Sequence, residues 1–319
     1  MKRISELNFA DLLICQSGCY FRYLQGQNLP LVNVPIDYDS EIQLLKMKLD
    51  SFNSEQNSED SFFLYHDNVP YRVSIVETIE GKEYFLRRLN YPTPKLDTLG
   101  FDRGLLTTLK SLGKKSQGLI LVAGATGSGK STSVYSLLTF YLENYGDILI
   151  SIEDPPEVPS QGKIGDGIWF QIDAKTAGGY DRGMVAAMRY NPKYIFMGEI
   201  RTPTAAREAI RAAINGHLVV TTIHANSVAG AIFALQQIAA SGSDIELARA
   251  ILSDGLLCVL HQRLDFTSTG NRKLKTEFLY TKDTPSILSK VRSGKLELLN
   301  SDIEMQKIKL SKGMSLLSE

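Results

Sequence analysis

From about residue 105 onward, short apolar runs recur between segments with helical spacing. The runs are LILVA (119–123), DILISI (147–152), IWFQI (168–172), YIFMG (194–198) and LVVTTI (218–223). Apolar positions repeat at helical intervals in several of the intervening segments, as in 131–145 and 203–214. Buried strands that alternate with helices predict a mostly parallel sheet with right-handed crossovers. Ligands of such sheets bind at the carboxyl ends of the strands.

The first 95 residues have a shorter and more mixed pattern, which is typical of a small α+β module. Helical spacing predicts helices over 4–17 and 40–52, and LPLVNVPID (29–37) predicts a strand. YRVSIVETIEGKEYFLRRL (71–89) alternates on both sides of a Glu-Gly-Lys turn, which predicts a hairpin. The polar segment 51–60 is expected to form a mobile turn.

The boundary between the two patterns is marked by prolines. NYPTPKLDTLGF (90–101) contains two of them and is typical of an extended connection. We therefore expect an N-terminal α+β domain over 1–95, a linker over 96–104 and an α/β domain over 105–319.

Composition excludes some classes of protein. The chain has 319 residues, of which 43% are hydrophobic and 22% charged, as in an ordinary folded protein. Thirty-five Lys and Arg balance thirty-five Asp and Glu, which argues against a dedicated nucleic-acid binder. Three cysteines and no apolar leader after Met1 lead us to expect a cytoplasmic protein. No apolar stretch approaches the roughly 20 residues of a membrane span.

The strand 119–123 runs directly into GATGSGKST (124–132), where the first eight residues fit the pattern G-x-x-x-x-G-K-[ST] between a strand and a helix. Glycines let such a loop turn tightly with its N–H groups pointing inward, and the following helix adds the positive end of its dipole. The loop is therefore predicted to bind ATP with Mg²⁺. Its residues are Gly124, Ala125, Thr126, Gly127, Ser128, Gly129, Lys130, Ser131 and Thr132. Lys130 can reach the β- and γ-phosphates, and the Ser131 hydroxyl can ligate the metal.

Hydrolysis also requires acidic groups near the terminal phosphate. Glu153 and Asp154 follow one predicted strand, Glu199 follows another, and His224 follows a third. The carboxyl ends of parallel strands meet at one edge of a sheet, which is where a phosphate loop would also lie. The sequence therefore predicts a hydrolytic site there, although transfer of the phosphoryl group to a small molecule stays open.

Four boxes occur in a fixed order: GATGSGKS (124–131), ISIEDPPEV (150–158), IFMGEIR (195–201) and INGHLVVTTIHANS (214–227). Together they resemble the secretion ATPase superfamily that serves type II and type IV secretion and type IV pili, most closely its PilT-like branch. The glycine that precedes Glu199 is the distinctive feature of the third box. The resemblance implies a RecA-like P-loop ATPase domain behind a small PAS-like N-terminal domain.

The resemblance also implies roles for particular residues. Glu153 would hold Mg²⁺ through water, and Glu199 would orient or deprotonate the attacking water. Arg201 would position that box or sense the nucleotide, and His224 would touch the γ-phosphate region. Three arginines of the N-terminal module are candidates to reach across a subunit boundary: Arg72, Arg87 and Arg88. The segment 248–264 resembles the family helix that ends in Gln-Arg-Leu.

Members of this family are hexameric rings, so the resemblance implies a homo-hexamer on the cytoplasmic face of the inner membrane. It would work with an inner-membrane platform protein of a pilus or secretion machine and would not bind nucleic acid directly. The chain lacks the four zinc-spaced cysteines of the long assembly ATPases, which favours pilus retraction or a type IVB secretion or conjugative transfer ATPase. A RecA-like nucleic-acid motor, a small-molecule kinase and an inactive scaffold are the alternatives from other classes.

Overall fold

The computed structural model describes residues 2–55, 61–89, 91–242, 244–266, 272–282 and 284–317. The chain folds into two compact units, Met1–Pro92 with Glu157–Pro159, and Thr93–Pro156 with Ser160–Glu319. Within the segment expected to be a turn, residues 51–55 belong to a helix and residues 56–60 lie outside the described residues.

The first unit is a six-stranded antiparallel sheet with one long helix on one face, in the order β3-β2-β1-β6-β5-β4. The helix, α1, packs Ile42, Leu45 and Leu49 against the buried side chains of the sheet. This is the α+β architecture expected from the sequence, and the predicted hairpin and the helix over 40–52 are confirmed. The elements are β1 (Asp11–Cys15), β2 (Gly18–Arg22), β3 (Leu31–Asn33), α1 (Asp39–Glu55), β4 (Ser61–His66), β5 (Val69–Thr78) and β6 (Gly81–Arg88).

The helix predicted over 4–17 is wrong. Only Ile4–Glu6 form a short 3₁₀ turn, and Asp11–Cys15 form β1, which pairs with β2 on one side and β6 on the other. Leu12 and Ile14 are buried on the helix-covered face. Because this strand lies inside the sheet, pairing with distant strands overrides the local helical spacing of its apolar residues.

The second unit contains an eight-stranded sheet in the order β14-β13-β7-β12-β11-β8-β10-β9. The six strands from β13 to β10 are mutually parallel, and β9 and β14 are antiparallel strands at the two edges. The mostly parallel α/β sheet is therefore confirmed. The strands are β7 (Gly118–Ala123), β8 (Asp147–Glu153), β9 (Gly162–Ile164), β10 (Gly167–Asp173), β11 (Tyr194–Glu199), β12 (Leu218–Ile223), β13 (Leu256–Phe266) and β14 (Arg272–Tyr280).

Helices cover both faces of this sheet. Leu119 and Leu121 of β7 belong to the large core formed with α4 to α7, whereas the alternate residues Ile120 and Val122 face the other side. The helices are α2 (Arg103–Leu112), α3 (Lys130–Tyr145), α4 (Tyr180–Met188), α5 (Pro203–Ile214), α6 (Val228–Ala240), α7 (Ile245–Gly255), α8 (Pro285–Ser293) and α9 (Asn300–Ser311). Among the described residues, no helix combines the length and the apolar character needed to cross a membrane.

The segment 248–264 is only half helical. Helix α7 ends at Gly255, and the chain continues as the eleven-residue strand β13, which pairs in parallel with β7 and antiparallel with β14. The helix expected to end in Gln-Arg-Leu is therefore wrong, since these three residues belong to the strand. LLCVL has apolar side chains at every position, as a strand buried on both faces requires.

A glycine in α2 allows a close approach of two helices. A methyl group at Gly104 would lie 2.4 Å from the carbonyl oxygen of Leu310 in α9 and 2.7 Å from that of Met314. These are backbone atoms, which cannot move aside by changing a rotamer. The C-terminal helix therefore packs onto α2 only because residue 104 has no side chain.

We expect Gly104→Ala to lower the free energy of unfolding by about 1–3 kcal/mol, the usual cost of overpacking. Chemical denaturation of the purified protein measures it. Thr107→Ala is the matched control, since Thr107 is exposed on the same helix and the new residue is the same. Equal midpoints for the two variants would contradict the close packing of α2 on α9.

Candidate nucleotide-binding site

The loop between β7 and α3 depends on glycines in conformations that other residues avoid. Gly124, Gly127 and Gly129 have φ angles of 153°, 76° and 85°. A methyl group at Gly124 would lie 2.3 Å from the carbonyl oxygen of Gln262 in β13, and it would also meet the Ser128 hydroxyl at 2.6 Å. The loop is thus folded tightly against the neighbouring strand, where Gln262 also donates from Nε2 to the carbonyl oxygen of Ser128 at 2.7 Å.

Helix α3 begins without a side-chain cap, because its N-cap residue is Gly129. In the same unit, side chains cap α5, α6 and α7, whereas α2, α4, α8 and α9 also begin without a side-chain cap. An uncapped helix start presents backbone N–H groups and the positive end of the dipole. This arrangement suits a bound anion such as phosphate.

Two side chains in the loop also suit a bound phosphate. The Lys130 ammonium donates to the carbonyl oxygens of Gly124 at 2.7 Å and Ala125 at 2.9 Å, so it lies over the loop that would hold phosphates. The buried Ser128 hydroxyl has no hydrogen-bond partner within the described parts of the chain. A lysine, an orphaned hydroxyl and an uncapped helix start are the donors that a triphosphate requires, so the residues present fit ATP.

Parallel pairing brings the ends of β7, β12, β11 and β8 to one edge of the sheet in that order. The phosphate loop follows β7 and His224 follows β12, whereas Glu199 and Glu153 are the last residues of β11 and β8. Glu199 leaves β11 through an irregularity, because the pairing with β12 shifts between Met197 and Glu199. The residue that is passed over is Gly198, whose carbonyl oxygen accepts from the Thr222 hydroxyl at 2.6 Å. Such a bulge redirects the side chain that follows it, here that of Glu199.

Glu199 is held by two basic groups of its own chain. Arg201 donates from Nε and Nη2 to Glu199 Oε2 at 3.0 and 2.7 Å, and the pairing raises the pKa of the guanidinium. His224 Nε2 lies 3.2 Å from the other oxygen, Oε1. Both basic side chains are more exposed than the glutamate, with 65% and 49% of their surface accessible against 20%. The carboxylate is thus oriented by groups that face solvent.

Glu153 lies deeper, with 3% of its surface exposed. Its Oε2 accepts from the hydroxyl of Tyr135, and its Oε1 accepts from Nε2 of Gln171 at 3.3 Å. Tyr180 begins α4 beside the same acids. Burial raises the pKa of Tyr180 to about 12, and the negative charges of Asp154, Glu153 and Glu199 act in the same direction. The acidic edge is therefore lined by two tyrosines as well as by carboxylates.

The three N-terminal arginines differ in their surroundings. Arg88 donates to the carbonyl oxygens of Leu7 and Ser5 and lies over the Phe9 ring at 5.5 Å. Arg72 and Arg87 are directly opposed on β5 and β6 and line an open groove of 350 Å³.

That groove is a feature of the first unit alone. Arg22 lines it as well, and Asp11 there accepts from Arg87 Nε at 2.9 Å and lies 3.5 Å from Arg22. Opposed like charges are unfavourable in a sheet unless an anion compensates them. The groove is lined by three arginines and one aspartate, so a single carboxylate faces three positive charges.

Sequence reasoning missed Tyr135, Gln171, Tyr180 and Gln262. The sequence does point to Tyr135, because an aromatic residue with a hydroxyl lies one helical turn after Ser131. The contacts of Gln171 and Gln262 depend on which strands are neighbours, and the sequence pattern does not reveal that.

Comparisons with known proteins show what the chain resembles in sequence and in fold. The family described as "Type II/IV secretion system protein" matches residues 52–295. The crystal structure of the pilus retraction motor PilT with bound ADP superposes with a TM-score of 0.78, is 26% identical, and covers 96% of this chain and 89% of that one.

Two curated relatives match part of the chain. Competence protein ComGA of Bacillus subtilis is 32% identical over 204 residues, which are 64% of this chain and 56% of ComGA. Type II secretion system protein E of Klebsiella pneumoniae is 38% identical over 198 residues, or 61% of this chain and 37% of that protein. The chain thus spans about half or less of the length of these relatives.

The glycine geometry predicts unequal effects of two alanine substitutions. Gly124→Ala should lower the melting temperature clearly, because the new methyl group meets the Gln262 backbone. Gly127→Ala adds only the strain of a positive φ, about 1–2 kcal/mol, since nothing lies within 4 Å of the added atom. Thermal unfolding without nucleotide measures both, and an equal or larger loss at Gly127 would contradict the close packing of the loop.

Proposed function

Because the chain belongs to the type II/IV secretion system protein family, we propose that it is a P-loop ATPase that converts ATP hydrolysis into mechanical work on a type IV pilus or a related secretion machine. One observation carries the catalytic part of this proposal. The uncapped start of α3 and the carboxylates of Glu153 and Glu199 lie at the same edge of one parallel sheet. A triphosphate bound at the helix start would extend toward those acids.

In the proposed site, the loop 124–132 binds the phosphates of ATP. Ser131 and, through water, Glu153 would hold Mg²⁺, which when bound neutralises charge on the phosphate oxygens. Lys130 exchanges its contacts with the carbonyl oxygens of the loop for contacts with the β- and γ-phosphates. A charge-assisted hydrogen bond of this kind is roughly twice as strong as a neutral one.

Glu199 orients or deprotonates the attacking water in this proposal. The ion pair with Arg201 keeps the carboxylate oriented. His224 is placed to link that carboxylate to the γ-phosphate region, since it follows β12, the strand between the loop strand and β11.

We further propose a homo-hexameric ring in which arginines reach a neighbouring nucleotide. Arg72 is the better candidate, because it lines an open groove, whereas Arg87 is paired with Asp11 and the guanidinium of Arg88 is bound to carbonyl oxygens of its own unit. An arginine supplied by a neighbour is worth 10³–10⁵ in rate in related phosphoryl-transfer enzymes. The opposed pair of like charges is consistent with a site that expects an anion.

The proposed machine is a pilus, with retraction as the specific activity. The likeness to the pilus retraction motor PilT over 96% of the chain supports this direction of force. The higher identities to ComGA and to protein E favour an alternative role in assembly or secretion. In either case the family suggests an inner-membrane platform protein as partner and a position on the cytoplasmic face of that membrane.

The ATPase proposal predicts distinct effects at two residues. Lys130→Ala should abolish binding of a fluorescent ATP analogue, because the loop loses its ammonium. Glu199→Gln should bind the analogue normally and hydrolyse ATP at least about 100-fold more slowly, as expected for loss of a general base. The exposed Lys163→Ala and Glu246→Gln are matched controls. Phosphate release and analogue binding are the measurements.

Other outcomes would replace the proposal. Transfer of the terminal phosphoryl group to a metabolite would identify a kinase. Stimulation of hydrolysis by single-stranded DNA would favour a nucleic-acid motor. Turnover unaffected by Glu199→Gln would remove the catalytic role of that residue.

The direction of force can be tested in the organism that carries the gene. If the protein retracts pili, its loss should leave more surface pili that no longer shorten, as counted by electron microscopy. Complementation with the wild-type gene should restore retraction, and complementation with Lys130→Ala should not. Absence of pili after loss of the gene would contradict retraction and support an assembly role.

A further inference from the structure

A buried polar cluster lies beneath the acidic edge, between α3, β8 and β10. The hydroxyl of Tyr135 donates to Glu153 Oε2, and Nε2 of Gln171 donates to Glu153 Oε1 at 3.3 Å. Nε2 of Gln171 also lies 3.4 Å from the Tyr135 hydroxyl oxygen, which closes a triangle of three side chains. Each oxygen of the carboxylate is thus held by a different element of the fold.

The ring of Tyr135 is fixed by aromatic packing. Trp169 of β10 stacks on it with centroids 5.2 Å apart and planes 24° apart, and Phe196 of β11 meets it edge-on at 5.8 Å. Trp169 in turn donates from Nε1 to the Ser151 hydroxyl at 2.9 Å. Tyr135 and Trp169 are both fully buried. The hydroxyl therefore has little freedom to leave the carboxylate.

We propose that Tyr135 is a positioning residue of the hydrolytic site, which fixes the carboxylate of Glu153 relative to the phosphate-binding loop. The inference rests on the proposed function, because it assigns a task to the acid that the ATPase reaction would use. Its new element is a link between the two parts of that site: Tyr135 lies on the same helix as Lys130 and Ser131, one turn after Ser131.

The type of partner supports this assignment. A buried carboxylate must be hydrogen-bonded, and the alternative explanation for Tyr135 is that its hydroxyl only satisfies this requirement. An arginine or lysine would meet it as well, but it would also cancel the charge. Tyr135 and Gln171 are neutral donors, so they hold the carboxylate of Glu153 without adding a positive charge of their own. Glu199, in contrast, is paired with Arg201.

The geometry of the link also supports it. Held from α3 on one oxygen and from β10 on the other, the carboxylate cannot rotate independently of the helix that binds the phosphates. Groups that hold a metal-site carboxylate from behind are worth about 10–100-fold in metal affinity or activity. A hydroxyl placed there merely for packing would be worth nothing in either measurement.

Tyr135→Phe tests the proposal, because it removes the hydroxyl and keeps the ring. Tyr141→Phe is the matched control. Tyr141 lies on the same helix, is fully buried, stacks on Tyr194 and donates its hydroxyl to the Leu109 carbonyl oxygen at 2.8 Å. Both variants lose one buried hydrogen bond, so both should melt at slightly lower temperature. Only Tyr135→Phe touches Glu153.

We expect Tyr135→Phe to lower kcat about tenfold with little change in KM for ATP. Binding of a fluorescent ADP analogue without Mg²⁺ should stay at the wild-type level. The Mg²⁺ concentration that half-saturates the metal-dependent part of this binding should rise several-fold, about fivefold or more. Trp169, the only tryptophan of the chain, gives the near-ultraviolet circular dichroism signal that reports whether the stacked rings remain in place.

Equal kcat and equal Mg²⁺ dependence in Tyr135→Phe and Tyr141→Phe would overturn the inference. If Tyr135→Phe loses the Trp169 signal, Gln171→Leu decides in its place, since it removes the other donor and leaves the rings untouched. Wild-type Mg²⁺ dependence in that variant would also overturn it. Lys130→Ala distinguishes a failure of the proposed function from a failure of the positioning role. If nucleotide still binds to Lys130→Ala, the proposed function is wrong. If Lys130→Ala loses nucleotide binding and Tyr135→Phe behaves as wild type, only the positioning role is wrong.

Discussion

The first turn of α3 offers backbone N–H groups and a lysine to an anion, and no side chain of the helix N-cap competes for them. The rest of the second unit is arranged around this requirement. The loop can approach β13 only because Gly124 has no side chain, and the parallel sheet aligns the ends of its strands with the helix start. A helix terminus left open in this way is stabilised by whatever negative charge binds there, so folding and binding depend on the same few N–H groups.

The two acids at this edge are held in different ways, and the difference separates their chemistry. Glu199 projects from a bulge, is partly accessible and is oriented by Arg201 and His224, whose side chains are largely exposed to solvent. Glu153 is buried and oriented by neutral hydroxyl and amide donors. A carboxylate that neutral donors hold in a fixed direction suits a cation, whereas one paired with exposed, adjustable side chains suits proton transfer and conformational response. Strand β12, which His224 follows, lies between β7 and β11, so the phosphate loop, His224 and Glu199 lie in this order along the edge of the sheet.

Much of this arrangement could be predicted from the sequence, because it rests on local signals. The strand over 119–123, the helix over 203–214 and the phosphate loop each have a period or a motif that is complete within about fifteen residues. Strands β1 and β13 could not be predicted, because the apolar residues of these segments would be buried in a helix as well as in a strand. Pairing with distant strands decides between the two structures. The contact between Tyr135 and Glu153 was out of reach for the same reason. It exists because α3 packs across β8 and β10, a relation set by strand order rather than by spacing.

Strand β7 forms its backbone hydrogen bonds with strands that come much later in the sequence. It pairs with β12 and β13 and not with β8, which follows it directly. During synthesis the glycine loop therefore leaves the ribosome long before the strands that flank its own strand are available. Closing such distant pairs is entropically expensive and slow, so the sheet is expected to assemble late and as one cooperative unit. A chain released before β13 would contain the whole phosphate-binding motif and still lack the wall against which that motif folds.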